Sequence, residues 1–389
     1  MKAIVAMSGG VDSSVAAYLL KKQGIEVIGL SFELWDSRDV KRLNVCCSIE
    51  TIEITKKVAG KLGIEHYTVD VRDDFYRYII EDFCTSYISG ITPNPCILCN
   101  KFIKFKFLLK KAEELGAGLV ATGHYARIVK SQKAEDKKLR KWEDKKILTS
   151  QPLNFSSSQI QDSSRITDYP SQNLLLKGVD PKKDQSYVLY VMTQRELSKT
   201  VFPLGGLKKD ETRSIAGELG LVSAIRPESQ EICFVGNGSY ADFIRDFSPG
   251  ALKPGPIINM EGEIVGKHKG IAFYTIGQRK RLGISTLRAY YVVDIDAQRN
   301  TLIVGAKEDA MKKVFKVRGL NWIFIESLLM PLRAKVKIRS TMKEESAIII
   351  PDKNQSVMVE FDKAQWAPAK GQSAVFYDGD LVIGGGIIE

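Results

Sequence analysis

The sequence predicts an α/β protein in three parts: a doubly wound parallel sheet over residues 1–236, a small β-rich module over 237–288 and a C-terminal antiparallel β-barrel over 289–389. Three observations predict this. Strand-like and helix-like runs alternate from residue 1 to about 128, the pattern of right-handed β–α–β crossovers. Glycine and proline then crowd Gly250 to Gly283 around short apolar runs. From Tyr290 onward short runs with alternating apolar positions dominate, the pattern of a compact barrel. A chain of 389 residues is long enough to bury two or three separate cores.

The apolar run Ala3 to Met7 reads as a buried first strand. Ser8-Gly9-Gly10 follows as a turn, and Val11, Val15, Ala16, Leu19 and Leu20 form the apolar stripe of a helix stopped by Gly24. Further strands are expected at Val27–Phe32, His66–Val71 and Leu119–Thr122, with helices near 49–62, 73–88 and 103–115. Ligands of such sheets sit beyond the carboxyl ends of the strands. The Ser8 loop, the Phe32–Trp35 segment and the Gly123-His124 turn are therefore expected to be neighbours. Lys130–Lys146 is crowded with charge and Gln151–Gln172 with polar residues, so about 130–172 reads as an inserted, poorly ordered surface loop. A helical pattern resumes at Leu174 and runs to Cys233. Barrel strands are expected at Val314–Trp322, Arg333–Arg339, Ala347–Ile350, Val357–Phe361, Ala374–Tyr377 and Leu381–Ile388, and Asp378-Gly379 is a hairpin signal between the last two.

Composition narrows the function. No apolar run approaches the ~20 residues needed to cross a bilayer, so no membrane partner is expected. The N-terminus runs straight into a strand, so no signal peptide is expected. Six cysteines, with a CxxC among them, fit a reducing, cytoplasmic setting and thiol or metal chemistry better than structural disulfides. A net charge of +11 fits a polyanion such as RNA, although a solvated surface carries such an excess too.

Two stretches carry chemistry. A strand, a glycine turn and a helix start together make an anion site, because backbone N–H groups converge there and the helix end adds partial positive charge. The loop lacks the GxxxxGK[ST] pattern of a Walker A motif. A serine- and glycine-rich helix cap is the plainer reading of the same residues. The second stretch is Thr92-Pro93-Asn94-Pro95-Cys96-Ile97-Leu98-Cys99-Asn100, with a helix expected to begin near Lys101. Cys99 then lies near a helix N-terminus and near Lys101 and Lys104, which favours a thiolate. The lysines at 101, 104, 106, 110 and 111 suit phosphate contact beside it. Cys233 has no local feature that makes it reactive. Cys46, Cys47 and Cys84 lack motif context and read as structural.

The run Met7 to Ser14 resembles the PP-loop, SGGxDSS, of ATP pyrophosphatases. With Thr92–Asn100, Ala121–Arg127, Lys183–Tyr187, Ser229–Phe234, Tyr274–Arg279 and the tail around Gly371-Gln372 and Gly384–Gly386, nearly the whole chain resembles the tRNA-specific 2-thiouridylases. The resemblance implies a PP-loop catalytic domain and a reaction in which ATP adenylates the C2 oxygen of a wobble uridine before sulfur replaces it. It implies ATP contacts at Ala6, Met7, Ser8, Gly9, Gly10, Val11, Asp12, Ser13, Phe32 and Gly123, with Asp12 holding Mg²⁺. It makes Cys99 the nucleophile and Cys233 the persulfide carrier, the pair closing a disulfide as sulfur leaves. It puts Asn94, Pro95 and Cys96 at the target base, and His124, Lys183, Asp184, Gln185, Arg339, Ser340 and Gln372 at the tRNA. A partner must supply sulfur: a desulfurase, a sulfur-relay protein or sulfide.

The chain departs from the family pattern in places. Cys96 stands where some members have an aspartate proposed as general base, and Arg281 where glycine is common. Cys96 opens a second route, in which Cys96, Cys99 and Cys233 hold a [4Fe–4S] cluster that presents sulfide. The CxxC spacing also suits zinc, although a fourth ligand is not obvious among three histidines. Another PP-loop tRNA enzyme and a non-catalytic tRNA-binding protein are the rival classes; neither accounts for paired Cys99 and Cys233.

Overall fold

The computed structural model describes residues 1–34, 49–130, 173–221, 232–235, 239–284 and 289–389. The expectations for Trp35, Cys46, Cys47, residues 131–172 of the insertion and Ser229–Glu231 lie outside these residues.

Strands β1 (Lys2–Ala6), β2 (Glu26–Glu33), β3 (Glu65–Asp70), β4 (Leu119–Ala121) and a short one at Thr200–Val201 form one parallel sheet, ordered β3-β2-β1-β4 and then Thr200–Val201. Helices α1 (Val11–Lys22) and α2 (Ile49–Leu62) follow β1 and precede β3, as the alternation predicts. Strand period 2 divides the side chains between two cores. Ala3, Val5, Val27 and Ala121 face one core with α1, α2 and Ala216, while Ile4, Ile28, Leu30 and Val120 face the other with Phe75, Phe83, Ile103 and Leu108. The sheet is therefore covered on both faces, which is the doubly wound arrangement.

Two long helical runs cover the second face: Arg72–Phe75, Tyr76–Ile80 and Glu81–Ile88, then Pro95–Cys99, Asn100–Lys104 and Phe105–Glu114. The middle segment of each is a π turn. Tyr78 from one stacks on Phe102 from the other, with centroids 5.1 Å apart and planes at 18°.

The residues after Lys130 hold a departure. β5 (Ala126–Lys130) and β6 (Asn173–Lys177) pair antiparallel, so Leu174 begins no helix. Leu174–Leu176 is a buried apolar trio that periodicity cannot assign; its pairing decides it. To give every strand a place in chain order, Thr200–Val201 is β7.

β8 (Gly255–Ile258), β9 (Ile264–His268), β10 (Tyr291–Asp296) and β11 (Thr301–Gly305) form a four-stranded sheet ordered β10-β11-β8-β9. The strands of residues 291–305 thus hydrogen-bond to the central module's sheet. β12 (Met311–Trp322), β13 (Leu332–Lys337), β14 (Glu345–Asp352), β15 (Ser356–Trp366), β16 (Ser373–Asp378) and β17 (Leu381–Ile388) run in the order β12-β15-β14-β13-β16-β17, and β17 pairs back to β12. That closes a six-stranded antiparallel barrel, and Gly379 at φ +59° makes the β16–β17 hairpin. β6 adds to the outside of the barrel at Leu381↔Leu176.

Candidate functional site

The anion loop is built as its sequence requires. Gly9 takes φ +70°, and a Cβ there would sit 2.9 Å from Thr51 Cγ2 and 3.0 Å from the Thr51 carbonyl oxygen. Only glycine lets the loop press on α2. Gly10 caps α1 with backbone alone, while the Ser13 and Ser14 hydroxyls donate to its carbonyl at 3.1 and 2.9 Å. The Ser8 N–H donates to Ser13 Oγ at 3.2 Å. The first-turn N–H groups of a helix have no partner within it, which leaves those of α1 as anion ligands. Of the expected neighbours, the Gly123 turn meets the loop, and β2 meets it through Leu30 and Ser31, just before Phe32. A Cβ on Gly123 would lie 2.8 Å from the Asp12 carbonyl carbon and the Ser13 nitrogen. Met7 N–H donates to the Leu30 carbonyl at 2.8 Å, and the Ser31 hydroxyl to the Met7 carbonyl at 2.8 Å. The Phe32 side chain is buried in the core.

Asp12 carries an unforeseen partner. Both its carboxylate oxygens accept from Lys209 Nζ, at 2.6 and 2.8 Å, and its Oδ1 also accepts from the Tyr125 hydroxyl at 2.8 Å. Tyr125 in turn lies 3.0 Å from Thr212 Oγ1. No local pattern marks Lys209. It reaches Asp12 from the start of helix Lys209–Glu218.

The cysteine helix begins earlier than expected. Asn94 is its N-cap, accepting from Ile97 N–H at 3.4 Å, and Pro95 takes the first helical position. An Asn-Pro pair suits that junction, because the proline lacks an N–H where none is needed. Cys96 therefore sits exposed in the first turn, and Cys99 one turn further on is buried. Cys99 belongs to the apolar cluster of Phe75, Phe83 and Ile103, and half-buried Cys233 packs against the same cluster. Phe234 fixes that second segment, edge-on to Phe75 at 5.9 Å and to Phe83 at 5.1 Å. Cys84 lies fully buried in the same core, and burial pushes its thiol up to about 12.

The barrel pins the proline-rich loop from above. Gln372 Nε2 donates to the Thr92 and Pro93 carbonyls at 3.1 and 3.0 Å, and Thr92 N–H donates to the Lys370 carbonyl at 2.8 Å. A cleft of about 370 Å³ opens there, lined by Thr92, Thr275, Gly277, Gln278, Arg339 and Gln372. All three parts of the chain meet in it. Half-buried Arg339 donates to the Ala367 carbonyl at 2.6 Å, and Ser340 beside it is exposed.

Other expected RNA contacts are engaged inside the fold. His124 is buried, paired with Thr122 Oγ1 at 2.7 Å, and held well below its usual pKa by burial, then by nearby Lys104. Asp184 accepts from the Gly178 and Ser186 N–H groups and the Ser186 hydroxyl, and Gln185 Oε1 from Tyr125 N–H.

Among the described residues no three His, Cys, Asp or Glu side chains stand together as a metal site, the set Cys96, Cys99 and Cys233 included. Among the described residues no helix is long and apolar enough to cross a membrane.

Family models match nearly the whole length: the tRNA methyl transferase HUP domain over 1–237, the tRNA methyl transferase PRC-barrel domain over 241–306 and the aminomethyltransferase beta-barrel domain over 312–388. The tRNA-specific 2-thiouridylase MnmA 2 of Thermoanaerobacter sp. (strain X514) is 46% identical over 388 residues, covering 99% of this chain and 97% of its own. The tRNA-specific 2-thiouridylase MnmA of Clostridioides difficile (strain 630) is 42% identical over 389 residues, covering 100% and 98%. A solved 4-thiouridine synthetase–RNA complex with bound ATP superposes with a TM-score of 0.34 at 16% identity, over 64% of this chain and 51% of that one, too loosely to carry an argument.

Proposed function

This chain belongs to the tRNA-specific 2-thiouridylase family, and from that premise we propose how its residues act. It is an ATP-dependent tRNA-uridine 2-sulfurtransferase. The matching family models speak of methyl transfer, but an anion loop for ATP and two cysteines at one cluster suit sulfur transfer, and methyl transfer calls for neither. The observation that carries the mechanism is that Cys99 and Cys233, 134 positions apart in sequence, share one apolar cluster.

The anion loop Ser8–Ser13 and Gly123 hold ATP, and Asp12, a carboxylate at the loop's mouth, is the ligand suited to Mg²⁺, which would neutralise phosphate charge. The uridine C2 oxygen attacks the α-phosphate and pyrophosphate leaves. The terminal sulfur of a Cys233 persulfide then attacks C2, and AMP leaves with the former O2. Cys99 thiolate attacks Cys233 Sγ, breaking the persulfide bond. Sulfur stays on C2 as the thiocarbonyl, and a Cys99–Cys233 disulfide remains. An external thiol reductant returns the two electrons, and a desulfurase or relay protein reloads Cys233, as befits a cytoplasmic setting. Asn94, Pro95 and Cys96 meet the flipped base. Lys183, Arg339, Ser340 and Gln372 face RNA, while His124, Asp184 and Gln185 shape the turns that present it.

Cys99→Ser tests this. The variant should retain tRNA-dependent pyrophosphate release and lose thiolation by at least ~10³-fold, since the nucleophile is gone. Wild-type thiolation by the variant would overturn the mechanism. So would iron and a broad absorbance near ~400 nm in anaerobically purified protein that vanish in Cys96→Ala, because sulfide on a cluster would then be the donor.

A further inference from the structure

We propose that Lys209 is a ligand of the ATP polyphosphate, held ready at the anion loop by Asp12 as its resting counter-ion. The proposal rests on the ATP-dependent reading above and adds a residue to it. Loop residues 8–14 offer backbone N–H groups and hydroxyls but contain no Lys or Arg. A Walker A motif solves the same problem with a lysine of its own. Here a cation is brought from 197 positions away, and its Nζ lies 2.6 and 2.8 Å from the two oxygens of Asp12, in the first turn of α1. That turn's N–H groups face the anion position, so the ammonium stands beside it.

The delivery is anchored. Lys209 N–H donates to Asp180 Oδ2 at 3.0 Å, which fixes where helix Lys209–Glu218 begins. The side chain passes Tyr125, whose ring centroid is 5.7 Å from Nζ. Exposure is uneven across the pair: the lysine side chain is 7% exposed and the aspartate 34%. The ammonium is thus covered from bulk water while the carboxylate is about a third exposed. A buried ion pair contributes little net stability, because desolvating both charges offsets their attraction. Stability alone is a weak reason to bury a lysine against an anion loop; a polyanionic ligand is a better one. When the nucleotide is bound, the ammonium turns from Asp12 to phosphate, and the freed carboxylate would suit a cation on the phosphates.

The test is nucleotide binding to the full chain in EDTA, by calorimetry, with ATP and AMP as probes. Lys209→Gln keeps a donor for Asp12 and removes the charge. ATP affinity should fall roughly tenfold or more, the scale of one charge-assisted contact, while AMP affinity stays within about threefold. A merely structural lysine would weaken both nucleotides alike or neither, and either result overturns the proposal. Should Lys209→Gln fail to fold, Asp12→Asn with Lys209→Gln removes both charges of the pair together. That double variant must lose the same preference for ATP over AMP, and a wild-type preference in it refutes the role. If the unaltered chain itself shows no preference for ATP, the ATP-dependent reading fails instead.

Discussion

Arg281 holds φ +65°, a left-handed conformation that costs an L side chain about 1–2 kcal/mol. The resemblance read from the sequence implies glycine at this position, and the dihedral suits one. Arg281→Gly should stabilise the chain by about 0.5–1 kcal/mol, because glycine's extra freedom when unfolded offsets part of the relief. A urea midpoint that rises at unchanged slope checks it. Single residues were legible where backbone geometry is local: Gly9 and Gly123 announce themselves by neighbours in sequence, whereas the helix N-terminus expected beside Cys99 lies a turn before it, at Pro95. Lys209 does not, since a lysine opening a helix in Lys208-Lys209-Asp210-Glu211 reads as solvated surface. Only the return of that helix to α1 puts it on Asp12.

The element that sets the cysteine helix is its N-cap. Pro93 and Pro95 read as a stiff approach to a helix near Lys101, but Asn94 caps and Pro95 opens the helix itself. The two π turns left no trace in periodicity, because one extra residue per turn only blurs a 3.6 period. Gln372 is the barrel's grip on this element. Gln372→Ala removes two hydrogen bonds worth about 1 kcal/mol each, and kcat/KM for tRNA should fall about tenfold or more. KM for ATP should not change, since the anion loop is untouched. Steady-state kinetics with each substrate varied would separate the two, and an equal loss for both would contradict a role confined to the proline-rich loop.

Across the whole molecule all three histidines, His66, His124 and His268, lie below their usual pKa, burial being the largest cause for each. The unfolded chain then binds protons near pH ~6.5 that the native one refuses. Stability is therefore fully present above that pH and is lost as pH falls below it, by at most about 1.4 kcal/mol per pH unit for His124. Urea midpoints should decline between pH 7.5 and 5.5, and a flat profile would contradict this. The three-part plan was legible because strand period and hairpin signals are local. The seam between parts was not, because β6 takes its identity from partners distant in the chain. That seam bears on how the protein is made. Leu176 pairs with Leu381, about 200 residues later. A ribosome adding roughly 5–20 residues per second leaves the outer edge of β6 waiting some 10–40 s for its partner. Through that interval the nascent chain presents an uncovered strand edge, the kind of surface that invites wrong pairing or a chaperone.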